Sequence, residues 1–160
     1  MLTTYESLSD NAKVWIYPSS RKFYPNEIDD VNNKIENFIN SWEQDEKKIQ
    51  AAYELKYNRF ICVFTESEQT VSTEAINKLV AFIIALQQEY EVELLDKMNV
   101  CFKQGEHVQY KDLKTFKTLI KGKAVNKKTI VFDNMVTIKA EFEDYWEVPV
   151  TESWYKNMFK

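Results

Sequence analysis

The apolar positions along the chain follow two periods, and each period predicts one type of element. Residues 13–17 alternate between two faces, which is typical of a strand. From Pro25 to Trp42 the apolar residues recur about every 3.6 positions, which predicts an amphipathic helix that begins at a proline. The same helical spacing returns between Ser72 and Tyr90, where the Ser72 side chain is suited to cap the first turn.

Two further segments have the alternation of β-hairpins. Residues 49–64 contain two apolar strands around a turn at Asn58 and Arg59, and residues 99–110 contain two more around Gly105. The element order is therefore strand, helix, strand, strand, helix, strand. This is the order of the ferredoxin-like βαββαβ sandwich, so we predict a single α+β domain of that type with its core in residues 1–110.

The segment 111–160 has a mostly helical pattern, and we predict that it is a helical extension packed on the core. Its predicted elements are a helix over 111–121 ended by Gly122, a strand over 129–132, a helix over 134–146 and a helix over 151–159. Together with the core, these elements account for all 160 residues as one domain, 1–160.

Composition favours a folded protein that is not embedded in a membrane. Aromatic residues make up 14% of the chain and supply the apolar area that a core needs. No apolar run reaches the ~20 residues of a membrane-spanning helix, and the first ten residues lack the features of a signal peptide. We therefore expect a soluble cytoplasmic protein in which Cys62 and Cys101 are free, buried thiols.

The scarcity of glycine excludes two nucleotide-binding motifs. The chain contains only Gly105 and Gly122. A P-loop needs two glycines five positions apart followed by lysine, and a dinucleotide-binding turn needs three glycines. Bulkier residues at these positions would block the approach of the backbone to phosphate. The chain therefore cannot be a P-loop ATPase.

Three stretches distinguish the chain as a set: AKVWIYPSSRKF, AFIIALQQEYEVELLDKMNVCF and DNMVTIKAEFEDYWEVPVTESW. In these stretches, and over most of its length, the chain resembles a family of small Bacteroidetes-type proteins often labelled "ABC transporter ATPase". The resemblance implies no established activity, and the glycine count rules out the P-loop chemistry that the label suggests.

Members of that family carry the segment S-G-C-S-I-D at the start of the second helix. Here the Gly, Cys, second Ser and Asp of that segment are replaced by Thr73, Glu74, Ala75 and Asn77. If the segment carries chemistry in the family, we expect this chain to lack it. We predict no catalytic residue, no metal site and no cofactor.

The segment Lys111–Lys128 is the most basic part of the chain. It holds seven lysines and one acid, a balance of +6, whereas the remaining residues carry −10. Lys114, Lys117 and Lys121 would share one helix face, which either attracts an anionic partner, or is a solvated surface, or pairs with acidic residues of the chain itself. The sequence pI of about 5.2 and the lack of arginine in this segment disfavour nucleic acid as a general partner.

Arg21 is the best single candidate for binding an anion, because it follows the first predicted strand in a loop. A pocket between this loop and the start of the second helix would add Ser72 and Thr73 as contacts. The alternative is a salt bridge between Arg21 and a nearby acid such as Asp29 or Asp30. A pairing of Cys101 with His107 across the second hairpin is also conceivable, but no third activating group accompanies it.

Two roles are consistent with the aromatic residues near the end of the chain. These residues either tie the C-terminus to the core or form part of a dimer or partner interface. The residues concerned are Trp146, Trp154, Tyr155 and Phe159.

Three hypotheses about function follow. The first is a non-catalytic binding or interaction domain with a protein partner or a second copy of itself. The second is a small enzyme or ligand-binding domain for an anionic, phosphorylated small molecule. The third is an RNA-associated module that uses the lysines of Lys111–Lys128.

Overall fold

The computed structural model describes residues 1–159 as an α+β protein. Its helices are α1 (Pro25–Ser41), α2 (Thr73–Tyr90), α3 (Leu113–Lys121) and α4 (Lys139–Tyr145). Its strands are β1 (Lys13–Pro18), β2 (Glu43–Gln44), β3 (Lys47–Lys48), β4 (Ala51–Lys56), β5 (Phe60–Thr65), β6 (Val100–Gln104), β7 (His107–Lys111), β8 (Ile130–Phe132) and β9 (Glu147–Pro149). No helix within residues 1–159 has the length and apolar content needed to cross a membrane.

The first sheet contains three antiparallel strands in the order β1-β5-β4. Phe64 in the central strand faces Val14 on one side and Ala52 on the other. The β4–β5 turn is centred on Tyr57 and Asn58, both of which have a φ of 54°. This is one residue earlier than the sequence indicated, because two consecutive left-handed residues form the tight turn that suits twisted strands.

The second sheet contains four strands in the order β7-β6-β8-β9. The ferredoxin-like arrangement is therefore not confirmed, because that fold would place the fourth predicted strand, β6, in the same sheet as β1. The outer edge of β1 instead receives the segment before α4, where the Val14 N–H donates to the Thr137 carbonyl at 3.0 Å. Strand β6 has its own partners in β7 and β8, which leaves it no edge for β1.

Strand β5 is buried on both faces, because helices cover one face and the second sheet covers the other. Ile61 and Val63 pack beneath α1 and α2, whereas Phe60, Cys62 and Phe64 point into a cluster that includes side chains of the second sheet. The far face of the second sheet is covered by α3 and the C-terminal residues. The layer order is thus helices, sheet, sheet and helix, with a separate apolar cluster between each pair of layers.

The C-terminal segment differs from its predicted form in three ways. It contributes β8 and β9 to the second sheet, so it is not a mostly helical addition. Helix α4 begins at Lys139 rather than near Asn134, because the preceding residues pair with β1. The final predicted helix is replaced by two short 3-10 helices.

Helix α3 ends at Lys121 with Gly122 as its C-cap, as predicted. The φ of Gly122 is −80°, and the next residue, Lys123, takes the left-handed conformation with a φ of 64°. The chain reverses at this point because the N–H groups of Ala124 and Val125 both reach back to the Leu119 carbonyl.

Candidate functional site

Arg21 is held by internal contacts at the junction of α1 and α2. Its guanidinium donates to Glu27 Oε1 at 3.0 Å and to the Tyr90 carbonyl at 2.6 Å, and it stacks on the Tyr24 ring at 4.1 Å. The hydrogen bond from Arg21 lowers the pKa of Glu27. Glu27, rather than Asp29 or Asp30, is therefore the acid that pairs with Arg21, and this contact joins the start of α1 to the end of α2.

Ser72 lies at the opposite end of α2 from the Arg21 contact. The Ser72 Oγ accepts the N–H of Ala75 at 3.1 Å, which confirms its predicted capping role. An 18-residue helix places the Thr73 end about 25 Å from Tyr90, so Arg21 and Thr73 do not line one pocket.

The surroundings of Ser72 are acidic. The small hollow beside it, about 160 Å³, is lined by four carboxylates and one lysine, with the acids Glu43, Asp45, Glu46 and Glu74. These charges oppose the attraction of a helix N-terminus for an anion. The start of α2 is therefore a poor anion site.

A different cleft collects positive side chains where the two sheets meet. It has a volume of about 430 Å³ and lies between the loop after β1, the β4–β5 turn and the β6–β7 turn. Its lining residues are Lys22, Tyr57, Asn58, Arg59, Glu106, His107, Val108 and Gln109. This volume lies in the range of small-molecule sites.

Arg59 is the most unusual residue of this cleft, because only 6% of its surface is exposed. Its guanidinium donates to the Val108 carbonyl at 2.6 Å and to the Ser19 carbonyl at 3.2 Å. No carboxylate in residues 1–159 forms a salt bridge with it. Burial lowers the pKa of Arg59, although a guanidinium keeps its proton in proteins.

Polar atoms around Arg59 have unused hydrogen-bonding capacity. Within the described part of the chain, the Arg59 Nε and the Ser19 Oγ are buried and have no hydrogen-bond partner. Two of the five guanidinium N–H groups are occupied by the carbonyls, which leaves three. A buried cation without an opposing charge carries a desolvation cost that a bound anion would offset.

The rim of the cleft contains both charge signs. Lys22 and His107 are exposed and can donate hydrogen bonds to an anion, while Glu106 introduces one negative charge. With Arg59, the fixed charges sum to one net positive charge, so the cleft favours a ligand with a single anionic group over a polyanion. The polar side chains of Asn58 and Gln109 can bond to hydroxyl groups on the same ligand.

The predicted aromatic interface residues are mostly internal. Trp146 and Tyr155 are buried, and Phe159 packs partly into the cluster beneath α3. Only Trp154, which is 51% exposed, lies on the surface. These residues chiefly tie the C-terminus to the core, which is one of the two readings that the sequence allowed.

The lysines predicted to form a basic face are exposed on α3. Lys114, Lys117 and Lys121 lie on the side opposite Phe116, and none forms a salt bridge within residues 1–159. This surface is separate from the Arg59 cleft, because the two share no lining residue.

The structure does not bring Cys101 and His107 together. Cys101 pairs with Tyr110 in the β6–β7 hairpin, whereas His107 pairs with Gln104 at its exposed end, about 10 Å further along the strand. Both cysteines are free and buried, as predicted. In the described residues no group of His, Cys, Asp or Glu is arranged to hold a metal ion.

We expect both thiols to resist alkylation in the native protein. Burial raises the pKa of Cys101 to about 12 and also raises the pKa of Cys62, so neither forms the reactive thiolate at pH 8. Iodoacetamide labelling followed by mass spectrometry should be at least about a hundredfold slower in buffer than in denaturant. Rapid labelling of a single site in buffer would contradict this burial.

Comparison of the chain with protein-family models, with curated proteins and with solved structures gives no match.

Arg59 was not among the predicted site residues, because its position in the sequence indicated a hairpin turn. The sequence did contain an indication of its role, because an arginine directly before a six-residue apolar strand is not a typical residue of a tight turn. Only the stacking of the second sheet shows that this arginine is covered, since the Val108 carbonyl that accepts its hydrogen bond belongs to β7.

Proposed function

We propose that the chain is a binding domain for a small hydroxylated molecule with one phosphate group, and that the ligand binds in the Arg59 cleft. The observation that carries the proposal is the buried Arg59 guanidinium, which lines a cleft and has no opposing carboxylate within residues 1–159. Arginine is the side chain best suited to hold phosphate oxygens at such a site. The phosphorylated ligand is the second of the three hypotheses that the sequence raised.

The chemistry of the rim supports one phosphate rather than several. Lys22 would bond to the phosphate from the solvent side, and the buried Arg59 would approach it from within. Glu106 would repel a second phosphate but accept a hydrogen bond from a hydroxyl group. The ligand class is therefore a phosphomonoester of a polyhydroxyl compound.

Calorimetric titration with glycerol phosphate, inorganic phosphate and glycerol tests the proposal. We expect glycerol phosphate to bind, inorganic phosphate to bind more weakly, and glycerol to give no heat. NMR titration should shift the backbone amides of residues 57–59 and 106–109, which line the cleft. Binding without shifts in these residues would contradict the assignment, as would the absence of binding by every phosphate tested.

Two rim variants should change the affinity in opposite directions. Lys22→Ala is expected to weaken glycerol phosphate binding by about tenfold, because it removes one charge-assisted hydrogen bond. Glu106→Gln should strengthen binding by about threefold, because it removes the like charge. Lys47→Ala is the matched control, since Lys47 is an exposed lysine in β3 that does not line the cleft. Equal affinities for all four proteins would exclude this mode of binding.

A further inference from the structure

A second groove of about 430 Å³ runs along the outer edge of β1. Its walls come from four separate parts of the chain: the start of β1, the first turns of α2, the loop after α2 at Lys97, and the segment before α4. The apolar side chains that line it are Val14, Trp15, Ile76, Met135, Val136 and Ile138. This groove shares no residue with the Arg59 cleft, so it is a distinct surface.

Every charged side chain that lines the groove is positive. Lys13 and Lys97 contribute two ammonium groups, and the lining contains no Asp or Glu. Neither lysine forms a salt bridge within residues 1–159. The groove thus combines an apolar floor with positive charge, although the chain as a whole carries a net charge of −4.

Lys97 has the more informative position of the two lysines. It is half-buried, and its Nζ lies 5.5 Å from the centre of the Tyr17 ring. Burial lowers the pKa of Lys97. A half-buried ammonium that contacts an aromatic ring and has no salt bridge within residues 1–159 would gain from a carboxylate placed beside it.

The lining of the groove includes one flexible apolar side chain that is well exposed. Met135 lines the groove, and 55% of its surface is exposed. Methionine adapts to side chains of different shapes and is used in this way on peptide-binding surfaces. This exposed methionine favours a peptide over a rigid small ligand.

We propose that this groove binds a peptide segment of a partner protein in which an apolar side chain is flanked by Asp or Glu. The apolar side chain would fill the floor between Trp15 and Ile76, and a carboxylate would pair with Lys97. Recognition of a short segment through one apolar anchor and one charge pair is a common mode of peptide binding. The inference gives a specific surface to the first functional hypothesis, a protein-interaction domain.

Selection of peptides from a displayed random library on the purified full-length chain tests the proposal. We expect the selected peptides to contain Leu, Phe or Met next to Asp or Glu, and to shift backbone amides of residues 13–15 and 134–138 in NMR titrations. Selected peptides that lack acidic residues would overturn the proposal. So would peptides that shift amides elsewhere on the protein.

Exchanging the charges of Lys97 and of the acidic peptide residue tests whether these two groups pair directly or the peptide is only attracted by the positive charge of the protein. Lys97→Glu should weaken the selected peptide at least about tenfold, and replacing the acid of the peptide by lysine should restore binding to this variant but not to the original protein. Lys47→Glu, an exposed lysine outside the groove, should leave the affinity within about twofold. Equal weakening by both variants would overturn the pairing.

Met135→Ser tests the groove in a variant that should fold normally, because Met135 is exposed and its replacement should not affect the core. It should weaken the peptide about threefold or more while leaving the melting temperature unchanged. Self-association of the original protein that disappears in Met135→Ser would show that a second copy covers the groove, and this outcome would also overturn the proposal. Failure of these tests would leave the Arg59 cleft unaffected, since the two sites share no residue.

Discussion

Cys62→Asp is expected to destabilise the protein by about 4 kcal/mol or more, a large part of the roughly 5–15 kcal/mol by which a folded domain is stable. Cys62 is fully buried on the face of β5 that meets the second sheet. A carboxylate at this position would be surrounded by Phe60, Phe64 and other apolar side chains and would have no polar partner. Chemical denaturation followed by circular dichroism measures the free energy of unfolding.

The loss of stability in Cys62→Asp distinguishes the observed stack of two sheets from the predicted single sheet covered by helices. In a two-layer sandwich of helices on one sheet, this face of β5 would contact solvent unless the C-terminal extension covered it. Gln104→Asp provides the control, because Gln104 is an exposed strand residue at the end of β6. It should change the free energy of unfolding by less than about 1 kcal/mol. A Cys62→Asp variant as stable as this control would contradict the packing of the second sheet against β5.

Trp146→Ala should lower the free energy of unfolding by about 3–5 kcal/mol. Trp146 is 3% exposed, and its ring centre lies 4.8–5.0 Å from the ring centres of Phe60, Phe132 and Phe142. These rings belong to β5, β8 and α4, so one side chain joins both sheets and a helix. The substitution also leaves the Asn134 Oδ1 without the indole N–H that it accepts at 2.8 Å.

Trp154→Ala is the matched control for this prediction. Trp154 is 51% exposed and makes one edge-to-face contact, with the Tyr155 ring at 5.2 Å. Its replacement should cost less than about 1 kcal/mol. Both residues were candidates for an interface on sequence grounds, and equal losses of stability in the two variants would show that Trp146 is not the central core residue.

The long periodic helices were predictable because their spacing alone identifies the buried face. Helix α1 begins at Pro25 as predicted, and α2 is capped by Ser72 as predicted. The identities of the strands in both hairpins were also predictable from their alternation. These are local properties, since they depend on residues within a few positions of one another.

The pairing of the strands was not predictable in the same way. Val100 and Phe102 face one apolar cluster of the second sheet while Cys101 faces the other, and such an alternation does not say which strand lies alongside. The choice of partner for β6 depends on β8 and β9, which are short and follow in the chain by 25 residues or more. Contacts of this separation leave no periodic signal in the sequence.

The candidate sites illustrate the same limit. Arg21 had the features of an anion-binding residue, yet its guanidinium is occupied by Glu27 and the Tyr90 carbonyl. Arg59 had no such features, and its burial results from the approach of β7 to the start of β5. A sequence gives the charge of a side chain, but its exposure and its partners depend on elements that are distant in the chain.

The amino-acid sequence by itself determined the two long helices, the strands of both hairpins, the buried cysteines and the absence of a P-loop motif, because each follows from local spacing or from the number of glycines. Only the tertiary structure decided that two sheets stack, that Trp146 is internal and that Arg59 lacks an opposing charge within the described residues. The physical reason is that burial on two faces requires a second layer, and the position of that layer is set by long-range packing rather than by neighbouring residues.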